Sequence, residues 1–180
     1  MIVTSDNKGF LTILQSLIKT LFDITLLRKG PEDIPGSWIL FILIVILWLF
    51  SGLVGVALIN TFDEKEFMLG LFNGIVGILC YSSVVVLSGH SKRLLQTISA
   101  IVGCGALISL AVVAEYVLFM PFLGEFPTSL VATLMVFWSV PVKGHIIARS
   151  IERHWYVGIV IAVAIFSLQF AVVGVAGSES

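Results

Sequence analysis

Within the long apolar runs of this sequence one acidic or basic side chain occurs, Glu115 in AVVAEYVLFM. A charged group at the centre of a membrane span costs about 2.5–3.5 kcal/mol, so an intramembrane carboxylate reads first as a proton or ligand site. Its depth supplies the competing reading. Met120 lies only about 7.5 Å further along a helix, which would let the carboxylate reach the headgroups and serve structure alone. Two amides, Asn73 and Gln169, fall in the same outer third of their own apolar runs. The expectation is a polar intramembrane cluster of Glu115, Asn73 and Gln169 that fixes helix register, at about 0.6 kcal/mol per contact and up to about 2.

Other chemistry finds little to hold. His90, His145 and His154 all fall in connections between apolar runs, whereas a helical bundle that binds haem projects its axial histidines from the helices themselves. Cys80 and Cys104 sit inside apolar runs without a paired spacing and are expected to pack as small apolar groups. No serine, cysteine or carboxylate has a base at an interpretable spacing. The expected protein is non-enzymatic, with no cofactor and no metal ion.

The elements that must position these groups follow from hydropathy. Of 180 residues, 58% are hydrophobic and 12% charged, with a mean hydropathy of +1.11; soluble domains carry about a quarter charged residues. Five runs are long enough to cross about 30 Å of hydrocarbon at about 1.5 Å per residue: residues 38–59, 68–88, 94–120, 126–142 and 155–176. The fold class is all-α, a five-helix transmembrane bundle over residues 37–180. Trp38, and Trp155 with Tyr156, suit the membrane interface. Small residues at close-packing spacing (Ser51 with Gly55, Gly70 with Gly74, Ser99 with Gly103, Gly158 with Ala162) predict where helices approach one another.

Residues 1–36 form a separate segment. Apolar positions at 10, 11, 14, 17, 18, 21 and 22 follow the helical period, with Thr12, Gln15, Ser16, Lys19 and Asp23 on the other side. This is an amphipathic helix rather than a cleavable signal sequence, expected to lie in the membrane interface; packing against the bundle or a partner is the alternative. Ser5, Asp6 or Asn7 can cap it, and Gly30 with Pro31 can stop it. LLRKGPEDIPGS then reads as an elbow leading into the first span, with Ser37 as cap.

Charge gives the orientation. Nine of the ten basic residues fall before the first span or in the second and fourth connections: Lys8, Lys19, Arg28, Lys29, Lys92, Arg93, Lys143, Arg149 and Arg153. Only Lys65 falls on the other side, among Asp63, Glu64, Glu66, Glu125 and Glu179. Positive residues mark the cytoplasmic side, so the N-terminus is expected inside and the C-terminus outside. KGHIIARSIER, Lys143 to Arg153, reads as a cytoplasmic continuation of the fourth helix. Together with Lys19, Arg28 and Lys29 it offers a basic surface for anionic lipid or a partner, at about 1 kcal/mol per residue near the surface. No basic block suggests nucleic acid.

Five spans, a cytoplasmic N-terminus and the RKGPEDIPGS stretch resemble bacterial members of the Yip1-like membrane proteins. The stretch is similar to an Arg-x-Gly-Pro-acid/amide-Asp-Leu/Ile-Pro motif of small proteobacterial proteins of that kind. The resemblance implies a bacterial inner membrane. The longer cytoplasmic region of eukaryotic Yip1 proteins is missing, so their work with small GTPases is not implied. The expected function is a membrane scaffold or accessory subunit that packs against lipid and other membrane proteins, or itself; a small transporter or channel centred on Glu115 is the alternative.

Overall fold

The protein, seen in a computed structural model, is described over residues 4–59 and 64–178. Asp63 and Glu179 of the charge pattern lie outside the described residues. Six α-helices account for nearly all of the described chain: α1 (Thr4–Thr25), α2 (Trp38–Ile59), α3 (Glu64–Leu87), α4 (Leu94–Leu123), α5 (Glu125–Ser150) and α6 (Trp155–Ser178). Single 3₁₀ turns at Pro31–Asp33 and Ser91–Arg93 complete the order. Five helices, α2 to α6, are long and apolar enough to cross a membrane. The chain is a multi-pass integral membrane protein.

Two span ends differ from the sequence expectation. α4 runs through Pro121 to Leu123 instead of ending at Met120. Gly124, at φ +80°, ends α4 by donating its N–H to Met120 O (3.1 Å) and is at once the residue from which α5 departs; the left-handed backbone there is open to glycine without penalty. α5 continues past Pro141 to Ser150, eight residues beyond Val142. Lys143 marks a change of hydropathy, not of backbone, and Lys143 to Ser150 is a helical continuation.

α1 also departs from expectation at both ends. It already includes Thr4, so Ser5, Asp6 and Asn7 lie within it rather than ahead of it. It ends five residues before Gly30. Leu27 takes the left-handed conformation (φ 60°), and Arg28 N–H closes back onto Asp23 O at 2.9 Å, the six-to-one closure of a Schellman motif. At Ser37 the expectation holds on the backbone: its carbonyl accepts from Phe41 N–H (3.0 Å) and opens α2.

The helices alternate between an elbow end, where residues 28–37, 88–94 and 150–155 gather, and a distal end. Leu21, Ile24, Ile34, Ile44, Tyr81, Val85, Val142, Ile146 and Ile147 are buried in one cluster that reaches from α1 to α5, weighted toward the elbow end. α1 is therefore part of the bundle. Leu17, Leu21 and Ile24 face inward, while Ile18, Phe22 and Leu26 form a second apolar stripe that is exposed. Ser16 and Lys19 are exposed on a third side, while the exposed Gln15 continues the line of Ile18 and Phe22. One helix thus presents a protein face, an apolar outer face and a polar face.

Candidate functional site

The elbow end is fastened by polar bonds. Thr97 Oγ1 and Ser150 Oγ, both fully buried, lie 2.7 Å apart, joining α4 to α5. Gln96 Nε2 donates to Ile34 O (3.0 Å), His145 Nε2 meets Lys29 O (3.1 Å), and Trp138 Nε1 donates to Thr25 O (3.1 Å). Arg149 pairs with Glu32, its Nε donating at 2.9 Å to Oε1. Arg93 pairs with Glu152 at 2.6 Å. Burial of the Glu32 carboxyl favours its neutral form, but the Arg149 hydrogen bond and charge outweigh it and hold the group below its ordinary value.

Glycines decide how closely the helices meet. A Cβ on Gly158 would strike the Gly144 carbonyl and come within 2.7 Å of Ala148 Cβ; one on Gly144 would lie 3.0 Å from the Ile159 Cα. α5 and α6 therefore cross with backbones in contact. Gly74 is covered by the Trp48 ring of α2, and Gly103 by Leu21 Cδ2, 2.7 Å from a Cβ built there. Gly55 meets Val113 at an ordinary 3.5 Å. Gly70 is a correction: nothing lies within 4 Å of it, and it faces a cavity of about 190 Å³ between α2, α3 and α4. Gly77 and Gly144 were not singled out from sequence, because their partners, Gln169 and Ile159, come from α6.

The polar cluster is only partly assembled. Gln169 Nε2 donates to the Asn73 carbonyl (2.9 Å), joining α6 to α3, and the bond depends on Gly77, where a Cβ would sit 2.6 Å from that nitrogen. Glu115 bonds neither residue. It is 5% exposed, and its Oε2 is buried without a hydrogen-bond partner among the described residues. The headgroup reading therefore fails for Glu115: α4 extends beyond it and its side chain turns inward. Its neighbour Tyr116 faces the same crevice as Asn73 and Gln169, but successive helical residues point about 100° apart, which turns Glu115 off that wall.

Lys143, unlike Glu115, lines the spaces that Gln169 also lines: one of about 70 Å³ with Tyr81, and one of about 720 Å³ with Asn73, Ser139 and Phe166, both open on one side. Among the described residues it has no ion pair or hydrogen bond. This corrects its assignment to the lipid- or partner-facing surface. Lys143 and Ser150 are two turns apart on one helical face, and Ser150 is buried against Thr97. Arg149 is likewise occupied within the chain, by Glu32, and Lys29 pairs with Asp23 at 3.4 Å. Lys19, Arg28 and Arg153 remain exposed.

The remaining candidates keep to local bonds. His90 Nδ1 meets Ser88 O (2.8 Å), and His154 stacks on Tyr156. Cys80 and Cys104 are free thiols, and Cys104 Sγ contacts Leu21 O at 3.6 Å. Among the described residues no group of three His, Cys, Asp or Glu is placed to hold a metal ion. Compared with known proteins, the chain matches no family model, no curated protein and no solved structure.

Proposed function

We propose that the protein is a non-enzymatic membrane scaffold or accessory subunit, in a bacterial inner membrane with its elbow end in the cytoplasm, that engages lipid and a membrane-protein partner or a second copy of itself. The observation that carries this reading is the outer stripe of α1. Ile18, Phe22 and Leu26 are exposed at 46%, 57% and 38% while the opposite stripe is fully engaged with the bundle. Large apolar side chains left in water forgo about 1.5–3 kcal/mol each. That stripe therefore meets acyl chains or another helix, and the polar side of α1 sets its depth at the interface. The RKGPEDIPGS resemblance and the basic elbow end support the location and orientation.

Gentle solubilisation is expected to release a larger assembly, and Phe22→Lys to shrink it while the bundle stays folded. A lone monomer in native mass spectrometry at every detergent strength would refute the reading. For orientation, cysteines at positions 92 and 178 should label from opposite sides of intact cells. A transporter centred on Glu115 is favoured by one feature, its buried unpartnered Oε2. It would be established by proteoliposome flux that Glu115→Gln abolishes.

A further inference from the structure

The crevice at Lys143 is a built site for which the packing of the bundle has no use. α5 and α6 touch backbone to backbone at Gly144 and Gly158, then diverge toward the distal end, leaving about 720 Å³ between α3, α4, α5 and α6. The walls are mainly apolar, from Val112, Val136, Phe137, Phe166, Phe170 and Val173 beside Tyr116, and Val136, Phe137, Phe170 and Val173 are exposed, so the crevice opens sideways onto the bilayer. Two hydroxyls on them are already committed, Ser129 Oγ donating to Phe126 O (2.9 Å) and Thr133 Oγ1 to Ser129 O (2.7 Å). Polar capacity is spread along it: the Lys143 amine at the elbow-side end has no partner among the described residues, and about 15 Å further toward the distal end, by the register of Gly144 on Gly158 and Phe137 on Phe166, Gln169 keeps one N–H beyond its bond to Asn73 while Asn73 Oδ1 is buried without a donor among the described residues.

From the lone cation at the elbow-side end we infer that the crevice holds one long-chain carboxylate, its head on Lys143 and its chain along Phe137, Phe166 and Phe170. Size selects this occupant. From Lys143 to Ser129 the crevice runs about 21 Å along α5, and a partner helix about 10 Å in diameter would need roughly 1,600 Å³ over that length. The space present lies within the about 300–1,000 Å³ typical of small-molecule sites. A small inorganic anion would leave the apolar walls unfilled. Charge selects the head. A carboxylic acid crosses hydrocarbon uncharged and ionises where a cation meets it, so it delivers a single negative charge to this depth without carrying one through lipid. A phospholipid has a permanently charged phosphate and two chains, for which a single cation and one crevice make no provision.

The test uses the full chain in lipid nanodiscs with a photoactivatable palmitate. One palmitate per chain should crosslink to α5 and α6 peptides containing Phe137, Phe166 or Phe170. Lys143→Met, which fills the same volume without charge, should weaken labelling about tenfold or more, and Lys143→Arg should retain most of it. Ala132→Trp, placed in the crevice away from the head, should block labelling while leaving Lys143 in place. Unlabelled palmitate should compete and palmityl alcohol should not. Equal labelling of the parent chain and Lys143→Met, equal competition by the alcohol, or stronger competition by phosphatidylglycerol would each overturn the assignment. None of these outcomes bears on assembly through α1.

Discussion

Gly158→Ala tests the crossing that shapes the crevice. The added methyl would meet the Gly144 carbonyl and lie 2.7 Å from Ala148 Cβ and 2.9 Å from Ala148 N. Carbon atoms settle about 3.5–4.0 Å apart. No rotamer change relieves a clash with backbone, so α6 must shift by close to 1 Å along the whole contact. Overpacking of this kind costs about 1–3 kcal/mol, partly offset by the about 0.5–1 kcal/mol that alanine gains over glycine in a helix. The expected net loss is about 1–2 kcal/mol. Gly70→Ala is the control with opposite sign, since nothing lies within 4 Å and only the helical gain remains. Gly103→Ala should fall between, because the group in its way is the flexible end of Leu21. Reversible unfolding in mixed micelles, followed by circular dichroism, should place the first two variants about 1.5–3 kcal/mol apart. Equal stability of Gly158→Ala and Gly70→Ala would refute the crossing.

Thr97→Val removes one of two buried hydroxyls 2.7 Å apart and should cost about 1 kcal/mol, the low end for a buried bond, because Ser150 still donates to Ile146 O. Gln169→Leu should cost about 0.6 kcal/mol in the same assay, the mean for interhelical bonds in a membrane. The Glu32–Arg149 pair gives a pH dependence with a fixed sign: the folded carboxyl sits below its ordinary value of 4.5, so the folded state binds fewer protons. Its contribution is present above that value and is lost as pH falls below it. Exposure of 51% and 41% on the two side chains limits the effect to under about 1 kcal/mol, and salt should weaken it. The protection factor of the Ile34 amide, its exchange rate relative to an unfolded chain at the same pH, should fall on acidification in the parent chain and not further in Arg149→Gln.

By itself the sequence determined the five spans, because each depends on hydropathy summed over many turns of local chain. Where α1 stops was not legible, because the glycine and proline at 30 and 31 advertise a turn that Leu27 makes earlier at a cost in backbone strain. Tertiary structure alone decided which face of each helix looks inward. Span hydropathy carries almost no phase when every side of a helix is apolar, so Lys143 and Arg149, six residues apart, could not be separated into an interior group and an elbow clamp. Glu115 and Tyr116 illustrate the same limit, since about 100° of helical rotation divides a buried carboxylate from the wall of the crevice. Gly77 and Gly144 matter only because α6 brings Gln169 and Ile159 against them, and no local spacing encodes a partner from a distant helix.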